Sequence, residues 1–259
     1  MHGRGYCYPV SAIQQDVVAE GERLIARASA DAVPLRLLGG VGMRLRAPGE
    51  LAPVFRRTYA DLDFVTEKKA ARRTAELFRT EGYEPHVAFN ALHGGERMLF
   101  FDIDHDRQVD VFVGAFSMCH KIPLDGRIEV DPVSIPLAEL LLTKLQVVEL
   151  NEKDVRDALA LLHDHAVGEQ DGDLVNVSRV AALCAADWGL WRTITQNLTS
   201  CRAFAQAYDV PDRERLDERL EMLLLRIDTE PKSRGWKMRA RIGDRKRWYE
   251  LPEEVAGGP

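Results

Sequence analysis

Residues 35–65 read LRLLGGVGMRLRAPGELAPVFRRTYADLDFV, and this stretch decides how the rest of the chain is organised. An apolar run ends in the glycine pair Gly39 and Gly40. A short helical segment and a loop follow, and a second apolar run then carries Asp61 and Asp63. Side chains two apart in a strand share a face. Asp61 and Asp63 therefore project together, while Leu62 and Phe64 face a core. Two carboxylates side by side repel each other and call for a positive partner, of which a divalent cation is the usual one. A glycine pair at a strand-to-helix turn lets backbone come close to a phosphate, and the N–H groups of the following helix favour an anion. The chemistry suggested is metal-dependent phosphoryl or nucleotidyl transfer.

The 259 residues are 46% hydrophobic and 29% charged, a composition that supports one large domain or two modest ones. Net charge is -6, so the total does not announce nucleic-acid binding. The distribution is uneven: between Pro231 and Tyr249 eight bases (Lys232, Arg234, Lys237, Arg239, Arg241, Arg245, Lys246, Arg247) meet one acid, Asp244. Trp236, Trp248 and Tyr249 interleave with those bases, a pattern able to contact phosphates and stack on bases, or equally to form a solvated basic tail. The four cysteines (Cys7, Cys119, Cys184, Cys201) have no paired short spacing, and no apolar run approaches bilayer length. A soluble, cytoplasmic protein with no membrane partner is expected.

Outward from the opening stretch, residues 11–30 read as an amphipathic helix with Ser11 as N-cap. Residues 34–38 read as a buried strand, 41–45 as a brief helix, and 47–60 as a loop carrying Arg56, Arg57 and Thr58. Residues 67–81 form a helix stopped by Gly82. Three β-rich runs at 83–92, 97–103 and 108–113 make an antiparallel meander, and 127–133 adds a further strand. From Pro136 the pattern turns helical: 137–150, 152–164, 175–187, 190–208, and 212–227 with Asp212 as N-cap. The polar run 169–173 breaks this helical half. The fold class expected is α+β, a mixed sheet flanked by helices followed by a helical C-terminal region. Residues 1–135 would form the catalytic part and 136–259 the helical part with its basic tail.

Three further positions carry chemistry. In the strand around Asp110, Val109, Val111 and Val113 make one face, so Asp110 points to the other with Gln108 and Phe112. Buried and unpaired there, it would cost several kcal/mol, roughly. A metal shared with Asp61 and Asp63 would relieve it, as would an arginine such as Arg97 or Arg57. Lys144 shares a helical face with Leu137, Leu140, Leu141 and Val148, and either snorkels outward or presents an inward ammonium to phosphate oxygens. Asp154 and Asp157 share one edge of the next helix, where Lys153 and Asp157 could instead form a surface pair.

In this order, Gly-Gly, Arg-Thr-x-x-Asp-Leu-Asp, a strand Asp, Thr-Lys-Leu-Gln and Lys-Asp-x-x-Asp-Ala-Leu, the chain resembles the minimal nucleotidyltransferases of the AbiEii/MenT toxin type, within the polymerase-β-like superfamily. The resemblance spans residues 35–163. It implies nucleotide binding by Gly39, Gly40, Arg57, Thr58, Lys144, Asp154 and Asp157, and a metal site of Asp61, Asp63 and Asp110 for two Mg²⁺ ions, with Mn²⁺ as a substitute. Asp61, Asp63, Asp110 and Lys144 would be the catalytic group, moving an NMP from an NTP to an acceptor hydroxyl. The toxin relatives imply tRNA as acceptor and a cognate antitoxin as partner. Other branches imply an aminoglycoside, a lincosamide or a protein side chain, and a non-catalytic RNA-binding protein of the same fold is a further alternative. The second glycine of the turn, often serine in the superfamily, and an Arg-Thr pair one residue further from Asp61 than usual depart from the pattern.

Overall fold

The alternation around Asp61 and Asp110 builds a five-stranded mixed sheet, described for residues 13–251 by a computed structural model. Chain order runs α1 (Val17–Ala30), β1 (Leu35–Leu38), α2 (Gly39–Arg46), β2 (Leu62–Thr66), α3 (Ala71–Thr80), β3 (Glu84–Pro85), α4 (Val87–His93), β4 (Arg97–Asp102) and β5 (Arg107–Val113). A hairpin of β6 (Ala115–Ser117) and β7 (Lys121–Pro123) follows. The helical half comprises α5 (Leu137–Leu145), α6 (Glu152–Asp164), a small bridge of β8 (Val167–Gly168) and β9 (Val175–Asn176), then α7 (Val177–Ala186), α8 (Trp188–Ala207), α9 (Arg213–Thr229) and α10 (Arg234–Ile242). The fold class is the one expected.

Strand order in the sheet is β1-β2-β5-β4-β3, with β2 and β5 parallel and the other pairs antiparallel. Alternation gives its two faces different work. Leu62, Phe64, Val109, Val111, Met98 and Phe100 join Leu24 and Phe78 in a core under α1 and α3. Val65 and Phe112 point the other way, into an apolar cluster that continues through α5 and α6 to Ile227 in α9. Side chains on both sides of residue 136 thus share one core. The bridging register Leu38, Asp63, Asp110, Leu99 runs across four strands and sets the acids side by side on the second face.

Several local expectations give way to longer-range bonds. Helix α1 begins at Val17, capped by Asp16, and Ser11 lies outside the described residues. The strand expected over 83–92 stops at Pro85, and α4 follows. His86 Nδ1 accepts from the Phe89 N–H and so caps the helix. Asn90 then exchanges both side-chain bonds with Leu99, accepting from its N–H and donating to its carbonyl, and serves β4 in place of a strand neighbour. Residues 127–133 form turns, because Asp131 Oδ1 accepts from the Val133 and Ser134 N–H groups. The helix expected to reach 150 ends at Leu145, where Asn197 donates to the carbonyls of Leu145 and Val147. Asp212 sits ahead of α9 with φ +49° and takes a bond from Arg215 in place of capping.

The basic C-terminal segment is no loose tail within the described residues, and its tryptophans are half-buried and hydrogen-bonded to the helical half. Trp236 Nε1 donates to the Cys184 carbonyl, and Trp248 Nε1 donates to Thr193 Oγ1. Arg239 lies 4.3 Å over the Trp188 ring. The aromatic rings strap the segment to α7 and α8, while Lys237, Arg241, Arg245, Lys246 and Arg247 stay exposed. At its end, the Glu250 N–H donates to the Cys119 carbonyl beside the β6–β7 hairpin. Among the described residues, no helix is long and apolar enough to cross a membrane.

Candidate active site

Strand β1 delivers the chain to the glycine turn with the backbone already adjoining Asp63. Gly39 has φ +66°, and a Cβ built there would lie 2.0 Å from Asp63 Oδ2. Only glycine meets both conditions, since the left-handed region costs other residues about 1–2 kcal/mol. At Gly40 the equivalent atom would lie 2.0 Å from Arg57 Nη2. The two glycines therefore seat one acid and one base against bare backbone at the start of α2. Gly39→Ala is expected to lower stability by about 1–2 kcal/mol through backbone strain alone. It should also displace Asp63, and an unchanged midpoint in urea unfolding would contradict this close fit of turn and acid.

Asp61 precedes β2 and is exposed; Asp63 is half-buried within it. No described residue donates a hydrogen bond to either carboxylate. Partial loss of solvent on the side facing the sheet raises the carboxyl of Asp61 above the ordinary range, and the neighbouring Asp110 adds to the rise. Burial, then Asp110, pushes Asp63 up to about 7. Asp110 is buried and differently served: Arg97 Nε donates to Oδ1 at 2.5 Å and Gln108 Nε2 to Oδ2 at 2.8 Å. Asp63 and Asp110 thus share one sheet face with Asp61 just ahead of β2, two of the three without donors and all three repelling one another. Hard oxygen groups of this kind are the type that could hold Mg²⁺ or Mn²⁺.

Lys144 faces inward. Its ammonium lies 3.0 Å from Asp157 Oδ2 and 3.2 Å from Asp154 Oδ1, with 14% of the side chain exposed. Burial pulls its proton affinity down, but Asp157, Asp154 and Asp63 outweigh that and raise it. The ammonium is charged, and Asp63 is one of the groups that feels it. Asp157 also receives Arg57 in a two-pronged bond, Nε to Oδ1 at 2.7 Å and Nη2 to Oδ2 at 2.6 Å. Such paired geometry is the strongest an arginine makes with a carboxylate. The surface pair between Lys153 and Asp157 therefore does not form; Lys153 instead bears on Asp61, lowering its rise.

Two layers result. Asp61, Asp63, Asp110 and Lys144 lie close enough to act on one another's charge, with Gly39 against Asp63, while Asp154 and Asp157 stand behind and fix Lys144 and Arg57. Thr58 is exposed, and its carbonyl accepts from Arg57 Nη1. Arg56 turns away to Glu50 and the Leu51 carbonyl. Two contributors were not foreseen as site residues. Gln108 lies two positions before Asp110 on the same strand face, a spacing that could have marked it. Tyr59 lies two after Arg57, and its ring supports the guanidinium at 4.4 Å.

No family model matches the chain, and no curated protein matches it.

Proposed function

We propose that the protein is a metal-dependent nucleotidyltransferase that moves an NMP from an NTP to a hydroxyl of an RNA acceptor. The observation that carries the reading is the row of Asp61, Asp63 and Asp110 opposite the inward ammonium of Lys144, closed on one side by the Gly39–Gly40 turn. RNA is the acceptor class that the toxin-type resemblance implies, and the exposed bases from Lys237 to Arg247 suit its phosphates.

In this reading, the backbone at Gly39 and Gly40 and the ammonium of Lys144 receive the triphosphate, and Arg57 stiffens the same wall. Asp61 and Asp63, with Asp110, would hold the divalent ions. When bound, Mg²⁺ supplies charge stabilisation to phosphate oxygens and to the departing pyrophosphate. Asp110, oriented by Arg97 and Gln108, accepts the proton of the attacking hydroxyl. The acceptor oxygen bonds to the α-phosphorus as the bond to the β-phosphate oxygen breaks. The protein's own contribution is positioning and electrostatics, and no covalent intermediate is called for.

Titration calorimetry tests it. NTP should bind tightly only when Mg²⁺ or Mn²⁺ is present, and Asp63→Ala should abolish the metal dependence. A protein that keeps this fold only to bind RNA would show no metal-dependent nucleotide affinity.

A further inference from the structure

Across the sheet the order of groups follows the order of strands. The glycine turn leaves β1, Asp63 sits on β2, Asp110 on β5, and Arg97 on β4 opposite Phe112. If the triphosphate lies at the turn, the acceptor must approach Asp110 from the other side, past β4. A cavity of about 180 Å³ lies there, lined by Phe89, Arg97, Phe112, Ser117, Met118 and Glu250 among others. It has room for several waters, and so for one planar heterocycle.

The lining is two-sided. Phe89, Phe112 and Met118 offer apolar faces, with the Arg97 guanidinium 5.8 Å from the Phe89 ring and 5.4 Å from the Phe112 ring. Ser117 Oγ and the Glu250 carboxylate offer hydrogen-bonding edges, and neither is bonded to another described residue. Rings that stack and edges that accept or donate are what an unpaired base requires. Arg97 forms the wall between this cavity and Asp110, to which it donates at 2.5 Å. Glu250, from the strapped C-terminal segment, lines the cavity, and the exposed Arg245, Lys246 and Arg247 precede it by three to five residues in the chain.

We infer that this cavity holds the terminal base of the RNA acceptor, with the strap's exposed bases on the adjoining phosphates and the terminal hydroxyl brought to Asp110. This rests on the nucleotidyltransferase reading above. Arg97 then has two positioning roles, orienting Asp110 and separating it from the seated base.

The test uses the full chain with Mg²⁺ and a non-hydrolysable NTP, and a short RNA ending in 2-aminopurine. Wild type should bind the RNA and quench the terminal base, and the same RNA with an abasic end should bind about tenfold or more weakly, the effect of one lost stacking contact. Phe89→Ala opens one wall at a half-buried helix position, and Ser117→Phe fills the cavity from a half-buried strand edge. Both should weaken binding of the base-bearing RNA to about the abasic level while keeping metal-dependent NTP affinity, which also reports folding. Equal binding of abasic and base-bearing RNA, or variants without effect, would each overturn the subsite while leaving the nucleotidyltransferase reading intact, and absence of RNA binding by wild type would overturn the subsite together with the RNA acceptor. Loss of metal-dependent NTP affinity in wild type itself would overturn both.

Discussion

Lys144→Met is expected to lower stability by about 3 kcal/mol and to remove measurable NTP affinity. The ammonium is mostly buried between two carboxylates, at 3.0 Å and 3.2 Å. Taking away one member of a buried ion pair leaves an uncompensated charge, and such losses run to about 3–5 kcal/mol. The lower end applies because Asp157 keeps its paired bonds from Arg57. Asp154, whose only ion-pair partner among the described residues is Lys144, bears most of the cost. Adding Asp154→Asn to Lys144→Met should therefore restore much of the stability in urea unfolding without restoring NTP binding. Recovery of both would make Lys144 a structural group alone.

Asp63→Asn should do the reverse: stabilise the metal-free protein and disable it. The carboxyl of Asp63 is raised from 3.8 to about 7 by burial and by Asp110. Between those values the folded chain holds a proton that the unfolded chain has shed, so metal-free stability falls as pH rises through that window. Above pH 7 the full penalty is present. Each tenfold change in the proton affinity of Asp63 on folding corresponds to about 1.4 kcal/mol; because solvent reaches the half-buried carboxylate, a gain on the order of 2 kcal/mol at pH 8 is expected for Asp63→Asn. Mg²⁺ should raise the melting temperature of wild type at pH 8, have much less effect at pH 5, and leave Asp63→Asn unmoved. Transfer activity of the variant should drop about a thousandfold, the several kcal/mol that a metal's Lewis acidity supplies. A wild-type melting temperature that rises from pH 5 to pH 8 without metal would contradict the assigned repulsion.

How far the sequence could be read depended on the range of the forces involved. Strand alternation is local, so the opposite facing of Asp63 and Phe64, and of Asp110 and Val111, was legible from spacing alone. Helical periodicity likewise placed Lys144 on an apolar stripe, though only the fold showed its ammonium inward, held by acids from the next helix. Helix α4 was illegible because its stability comes from Asn90 bonding to Leu99, nine residues away and in another element. Pairing of Arg97 with Asp110 was an open alternative until the β4–β5 register set them two positions out of step on one face. The C-terminal segment looked like a basic tail because its charges are visible in sequence, whereas the docking of Trp236 and Trp248 needs α7 and α8 already folded.

The most direct measurement is incubation with total RNA, Mg²⁺ and an NTP labelled at either the α- or the γ-phosphate. A nucleotidyltransferase built on Asp61, Asp63 and Asp110 should place α-label in RNA, release γ-label as pyrophosphate, and do neither once Asp63 is replaced by Ala. Transfer of γ-label to RNA, α-label absent from RNA, or Asp63→Ala working at the wild-type rate would contradict it.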